Sequence, residues 1–411
     1  LTLAGPDRAR RGSELSQLGL IRDGAVLLDH GRVLHAGPTD QVARHLTPDL
    51  GEVEEHDCSG MLLTPGLCDS HTHLVFAAPR LDDFERRLQG ASYAEIAAAG
   101  GGIASSVAHL RQADPAALLQ LATQWMRTAR SFGTTTLEVK TGYGLALDSE
   151  RRSLQTAAAA AAATGLDAPR TFLGAHVVPP GQDRAQYLAS VTEQMLPAFT
   201  AAAAATYAPE FADAFCDPAA FTLAECRTVL RAARERGLQL KLHAEQFGHL
   251  GGIGLGVELG ATSVDHLDQA TPQDAALLAR AETVATLIPG ANFFLGQPYP
   301  PAQLLLQSGA AVALATDFNP GTCPILSLPL VMSLACSQMR FTPAQAWSAV
   351  TINGAAALAR APVCGSLMPG KRADLALFAV DDHRAIPYFA GHNLCRAVIQ
   401  RGVWKENPAC D

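Results

Sequence analysis

The chain has no apolar run near the roughly 20 residues that a membrane-spanning helix needs. It has no block of Lys and Arg either: 31 basic residues stand against 39 acidic ones, for a net charge of −8. That balance argues against a nucleic-acid surface. Its nine cysteines form no CxxC pair, and their number is odd. They read as reduced, mostly buried thiols of a cytoplasmic protein. Cys68 and Cys323 read as small packing residues. Gly100 to Gly102 and Gly251-Gly252 lack the GxxxxGKS/T and GxGxxG contexts, so they read as flexible loops and not as phosphate cradles. The beginning of the chain is polar and charged from Asp7 to Arg11, with no apolar signal-peptide core. Because it starts at Leu1 and not Met, a few preceding residues are expected.

What the chain does have is apolar mass. Hydrophobic residues make up 48% of 411, enough for a large core, and a length that large α/β barrels reach with additions. The first fifty or so residues read as β. Gly24 to Asp29 and Arg32 to Ala36 flank the turn signal His30-Gly31. The C-terminal end reads likewise, with strands at Asp374 to Val380 and Cys395 to Trp404, the latter turning at Arg401-Gly402. Neither end is large enough to fold alone, so both termini are expected to build one small sheet domain.

Between them, apolar runs alternate with helical patterns. The runs are Leu62 to Ser70, Thr134 to Lys140, Thr171 to His176, Phe211 to Phe215, Leu238 to His243, Thr262 to His266, Val284 to Ile288 and Ala311 to Thr316. The helical stretches include Asp114 to Arg130, which opens on an N-cap Asp and a Pro. Others are Ser149 to Thr164, Asp183 to Thr206, Leu223 to Arg236, Pro272 to Arg280 and Pro301 to Gln307. Alternating βα units with buried strands imply a parallel sheet, and eight of them a closed barrel. The alanine runs Ala157 to Ala163 and Ala201 to Ala205 are expected as helix on the outer ring.

A barrel of this kind carries its chemistry at the C-terminal ends of its strands. His71 and His73 follow the first run, two residues apart and so on one face of a strand. Glu138 and Lys140 end the second run, before Thr141-Gly-Tyr-Gly144. His176 ends the third, His243 the fifth, and Asp265-His266 the sixth. Asp317 follows the eighth. Five of the thirteen His therefore fall on one face together with Asp317. Three imidazoles and a carboxylate suit Zn²⁺ or Fe²⁺ with an open position for water. A closed structural zinc site would favour Cys and local loops.

These stretches resemble the metal-dependent amidohydrolases: Pro65 to His73, Lys241 to Glu245, Val264 to Leu267 and Ala315 to Gly321. Within that superfamily the chain is most similar to the imidazolonepropionase family. The residues carrying the likeness are His71 to Phe76 with Arg80, Glu138 to Gly144, Phe172 to His176, Lys241 to Gln246 and Ala315 to Thr322, with Leu287 to Gly290 and Tyr299 to Pro301. The likeness spans about residues 20 to 405. It implies an α/β fold, a (β/α)8 TIM-like barrel over residues 58–362, with a small β-sandwich composed of residues 1–57 and 363–411. It implies hydrolysis of the cyclic amide C–N bond of 4-imidazolone-5-propanoate to N-formimidoyl-L-glutamate, in histidine degradation. By motif position His71, His73, His243 and Asp317 would ligate one Zn²⁺ or one iron ion (Fe³⁺ or Fe²⁺) per subunit. Arg80, Tyr93, Tyr143, His176, Gln246, Asn319, Gly321 and Thr322 would hold substrate or product. A homodimer is expected by the same likeness.

The chemistry of the residues fits those roles. Arg80 offers a planar fork for a propanoate. Tyr143 sits in a Gly-flanked loop where its ring can reach a ligand. His176 is expected to donate to the ring carbonyl as charge develops there. A hydrolase also needs a proton acceptor and donor; His266 is the first choice, with Asp317 and Glu245 as the others. Glu245, two residues after His243, shares its face if the strand stays extended. Gln246 departs from relatives that carry Glu at that position; it can bind but cannot exchange a proton. Lys140 reads as structural and not as a carboxylated metal bridge. Two further readings are another mononuclear amidohydrolase, such as a purine or pyrimidine deaminase, and a barrel that has lost catalysis and serves as a scaffold. The intact ligand set argues against the second, and Arg80 with the Tyr143 loop against the first.

Overall fold

The computed structural model describes residues 1–47, 50–91, 95–96 and 99–407. Gly24–Asp29 (β1) and Arg32–Pro38 (β2) form the expected antiparallel hairpin. His30 and Gly31 take φ of +45° and +74°, the left-handed pair that a tight hairpin turn needs.

The first long apolar run is divided between two sheets. Leu62–Pro65 (β3) pairs antiparallel with a strand near the C-terminus, whereas Leu67–Asp69 (β4) pairs in parallel with Thr134–Leu137 (β5). Gly66 makes the change possible, because a Cβ there would lie 2.1 Å from Thr135 Oγ1. The change of sheet thus falls inside the stretch that the sequence reading gave wholly to the barrel.

Val139–Lys140 (β6), Arg170–Ala175 (β7), Phe211–Cys216 (β8), Gln239–Ala244 (β9), Ser263–His266 (β10), Val284–Leu287 (β11) and Val312–Leu314 (β12) form one parallel sheet in sequence order. The chain segments after β12 and β4 then meet: Asp317 N donates to His71 O at 2.9 Å, and His73 N to Phe318 O at 2.9 Å. With β4 and β5 this makes the α/β barrel read from the sequence. Its strands are almost wholly buried, as in β8, because helices cover one face and the barrel interior the other. Leu375–Phe378 (β13), Cys395–Gln400 (β14) and Val403–Glu406 (β15) add to β3 in the order β15-β14-β13-β3. The β1–β2 hairpin packs on this sheet through Val26, Leu28 and Val33 against Leu375, Ile399 and Trp404.

Most helices lie where expected. Pro115–Ser131 is capped by Asp114, whose side chain accepts from Ala117 N. The expected helix from Asp183 to Thr206 is broken. Arg184–Ala189 runs through a π segment, Ser190–Met195, into Leu196–Thr200, and Ala201 to Ala205 holds only the short 3-10 turn Ala202–Ala204. Pro197 has no N–H to donate, so a regular i−4 ladder cannot pass it. Gly252 begins a helix, Gly252–Leu259, and not a flexible loop. Its glycines serve close packing: a Cβ on Gly256 would lie 2.3 Å from Val264 Cγ1 on β10. Gly100 to Gly102 likewise lead into a helix, Ile103–Gln112, with Gly102 at φ +68°.

Candidate active site

At the C-terminal mouth of the barrel four donor atoms converge. His71 Nε2 lies 3.2 Å from His73 Nε2, and His243 Nε2 3.3 Å from His73 Nε2. Asp317 Oδ1 is 3.5 Å from both His71 Nε2 and His73 Nε2. A cation held at about 2.0–2.1 Å by four tetrahedral ligands puts those ligands roughly 3.4 Å apart. Ligand atoms of His71, His73 and Asp317 lie within 4.8 Å of one another, as do those of His71, His243 and His266, so the cluster could hold a transition-metal ion. All four side chains are buried. Burial, aided by Lys140 and the neighbouring imidazoles, holds His71, His73 and His243 well below the usual histidine range. They are neutral and offer lone pairs. Burial drives the Asp317 carboxyl well above its usual range, a cost that a cation beside it reverses.

An outer layer of carboxylates fixes the rings. His71 Nδ1 is 2.7 Å from Asp265 Oδ2, and His243 Nδ1 is 2.9 Å from Asp213 Oδ2. The His71 contact is a hydrogen bond, and a proton on that Nδ1 leaves its Nε2 free to ligate, whereas His243 Nδ1 makes no hydrogen bond despite its approach to Asp213. Lys140 Nζ joins this layer at 2.6 Å from Asp213 Oδ2, 3.4 Å from Asp265 Oδ2 and 3.1 Å from Glu138. Lys241 Nζ lies 3.0 Å from Glu138 Oε2. Lys140 is thus a structural cation under the site. Asp69 accepts from Thr316 N at 3.0 Å and from Thr316 Oγ1 at 2.6 Å, which pins the segment carrying Asp317 beside β4.

His266 stands next to the cluster. One of its ring nitrogens is within 4.8 Å of one on His71 and one on His243. It ends β10 at φ +85°, and burial pushes it down to about 4, so at neutral pH its ring is unprotonated.

Glu245 does not join the site. The strand does not stay extended: Glu245 takes φ +56°, which breaks the alternation of faces. Its carboxylate turns away to accept from Leu250 N at 2.7 Å and Ile253 N at 3.3 Å, at the start of the Gly252–Leu259 helix. The next residue, Gln246, faces the pocket instead.

Beside the cluster is a pocket lined by Arg80, Tyr143, His176, Gln246, Asn319 and Thr322, together with His73, His243, His266 and Asp317. Gly321 backs Arg80: a Cβ there would lie 2.2 Å from Arg80 Nη1. Asn319 spends its amide on the loop itself. Its Nδ2 donates to Asp317 O at 2.7 Å, and its Oδ1 accepts from Gly321 N at 2.9 Å and Thr322 N at 2.7 Å. Tyr93 lies outside the described residues.

The surroundings of His176 favour the reverse of the expected donor role. Its Nδ1 lies 2.9 Å from Gly142 O, an atom that can only accept. Burial pushes the ring down to about 4, so the neutral ring carries its one proton on Nδ1. With the proton there, Nε2 is left as an acceptor toward the pocket.

Several contributors escaped the sequence reading. Ile103, Phe215 and Phe247 also line the pocket. Asp213, inside the apolar run Phe211 to Phe215, was the legible signal: a carboxylate buried on a barrel strand needs a partner. Glu150 is fully buried and accepts from Gly142 N at 3.1 Å and from Gly144 N and Leu145 N at 2.7 Å. It clasps the loop that bears Tyr143. Nothing in its helical surroundings marked it.

The chain matches the sequence profile of the amidohydrolase family over residues 62–403. It is 44% identical over 410 residues to an imidazolonepropionase of Chloroflexus aggregans, covering 98% of this chain and 95% of that protein. It is 41% identical over 405 residues to an imidazolonepropionase of Geobacillus kaustophilus, with coverage of 98% and 95%. Among solved structures, a zinc-bound adenosine deaminase from Xanthomonas campestris superposes with a TM-score of 0.68 at 18% identity, over 95% of this chain and 90% of that one. Escherichia coli guanine deaminase does so with a TM-score of 0.69 at 15% identity, over 94% and 93%. At those identities the two deaminases speak for the barrel fold alone. The profile match and the full-length relatives go further, and by them the chain belongs to the amidohydrolase family.

Proposed function

We propose that the chain hydrolyses the ring amide of 4-imidazolone-5-propanoate to N-formimidoyl-L-glutamate, the imidazolonepropionase step of histidine degradation. The observation that carries this reading is Arg80. Its Nη2 is buried without a hydrogen-bond partner, in a pocket that is also lined by His73, His243 and Asp317 of the cluster. A buried guanidinium nitrogen left open is costly, and a substrate carboxylate relieves it.

In the reaction water oxygen bonds to the ring carbonyl carbon, the ring C–N bond breaks, and the departing nitrogen gains a proton. A Zn²⁺ or iron ion held by His71, His73, His243 and Asp317 supplies Lewis-acid activation when bound. Neutral His266 takes the proton that the water loses and returns one to the nitrogen; Asp317 is the other group placed to share it. Arg80 binds the propanoate. His176 Nε2 accepts from a ring N–H and orients the ring. Gln246 offers an amide without proton chemistry. Tyr143 closes the wall beside Arg80, its ring 5.6 Å from the guanidinium carbon.

The protein is read as a cytoplasmic homodimer. Among the described residues no helix is long and apolar enough to cross a membrane, and the buried free thiols suit a reducing compartment. A substrate panel tests the activity. Purified, metal-loaded protein should consume 4-imidazolone-5-propanoate and leave guanine, adenosine and cytosine untouched; the reverse pattern would make it a deaminase.

A further inference from the structure

The guanidinium of Arg80 is held by one side chain that no motif singles out. Arg80 Nε donates to Ser106 Oγ at 2.8 Å. Ser106 is 1% exposed and sits inside the helix Ile103–Gln112. A serine inside a helix ordinarily turns its hydroxyl to the preceding turn or to water; here the oxygen receives a cation. Glycine at 321 lets Nη1 lie against the Asp317 loop, and Arg80 N is tied to Pro320 O at 3.1 Å. With Nε and the backbone fixed, the unpartnered Nη2 has one orientation.

The same helix serves the pocket twice more. Ile103, in its first turn, lines the pocket. Arg111, in its last, donates to Gly144 O at 2.9 Å and to Leu145 O at 3.0 Å. That ties the carbonyls of the loop bearing Tyr143, whose N–H groups Glu150 holds. The helix therefore couples the arginine to the aromatic wall beside it.

We propose that Ser106 is a positioning residue for substrate selection: by holding Arg80 Nε it aims the free Nη2, and so sets the demand for a carboxylate on the substrate ring. The proposal rests on the reading of Arg80 as the partner of the propanoate. A guanidinium that swivels loses a directed hydrogen bond to that group, while the chemistry at the ring is untouched.

The test compares wild type, S106A and R80A on 4-imidazolone-5-propanoate and on 4-imidazolone without the side chain, as metal-loaded enzymes. For S106A, KM for the propanoate should rise about tenfold with kcat within about twofold. Its kcat/KM for the bare ring should equal that of wild type, so the preference for the carboxylate falls about tenfold. R80A should abolish the preference. If R80A abolishes it while S106A keeps it, or S106A slows both substrates in proportion, the role of Ser106 is overturned and that of Arg80 stands. If R80A keeps the preference, the propanoate reading itself fails, and the proposal with it. Should S106A not fold, S106C keeps the volume with a weaker acceptor, and its preference is read against the same limits.

Discussion

Asp265 Oδ2 lies 2.7 Å from His71 Nδ1 and 3.4 Å from Lys140 Nζ, so one buried carboxylate serves a histidine of the cluster and the ammonium beneath it. Ser263 Oγ donates to its other oxygen at 2.6 Å. The carboxylate holds the His71 proton on the outer nitrogen and makes the inner one a better donor to a cation.

Asp265→Asn should therefore weaken metal binding without abolishing it. An amide can still accept from His71, but it carries no charge to balance Lys140. The expected loss in affinity is about 10- to 100-fold, read by competition with a chromophoric chelator. Unchanged affinity would mean that the His71 tautomer is set elsewhere.

His266 separates binding from chemistry. Its ring adjoins the cluster, and under the proposed assignment His71, His73, His243 and Asp317 supply four donors without it. Replacing it with Ala should leave the metal content at one ion per chain and cut kcat by roughly 10²-fold or more. Metal analysis and turnover on the same sample decide the matter, since lost metal would make His266 a ligand.

Much of this site was legible because a barrel converts strand order into position. Once the apolar runs are taken as parallel strands, the residue ending each one must face the same mouth, whatever its distance in the chain. That logic found His71, His73, His243, His266 and Asp317. It failed where the backbone leaves the strand. Glu245 looked equivalent to His243 by spacing, but a left-handed φ sent it to a helix start, and Gln246 took the pocket. It failed again at Ser106 and Glu150, whose roles depend on helices packing against loops from elsewhere in the chain. Period and spacing carry no information about such contacts. The split at Gly66 was hidden for a related reason: both halves of an apolar run are buried, and only their partners differ.

Glu150 offers a test of the clasped loop. Three backbone N–H groups converge on its two oxygens, and a glutamine can keep only one of those oxygens. Glu150→Gln should leave at least one buried N–H unpaired, at a cost of about 1–3 kcal/mol, and loosen both Tyr143 and the Gly142 carbonyl that orients His176. We expect a lower melting temperature together with a raised KM. Glu150→Asp, which keeps the charge on a shorter arm, should fall between wild type and Glu150→Gln in KM. A Glu150→Gln variant that melts early but binds substrate normally would limit Glu150 to a structural part.

Metal removal should register in stability as well as in rate. His73 Nε2 lies 3.2 Å from His71 Nε2 and 3.3 Å from His243 Nε2, and without a cation a single proton on it can serve only one of the two contacts. The buried Nδ1 of His73 has no hydrogen-bond partner, so its ring gains little from the protein around it. An ion that binds the folded chain and not the unfolded one adds RT ln(1 + [ion]/Kd), about 4 kcal/mol at a thousandfold excess over Kd. Protein dialysed against a strong chelator should thus be inactive and melt several degrees lower, and stoichiometric Zn²⁺ or Fe²⁺ should restore both properties together. The ion that restores more activity for the same gain in melting temperature is the better fit to the chemistry, because stability reports only how well the four donors hold it. A chelated protein that keeps full turnover would remove the metal from the reaction and leave the cluster as a structural knot.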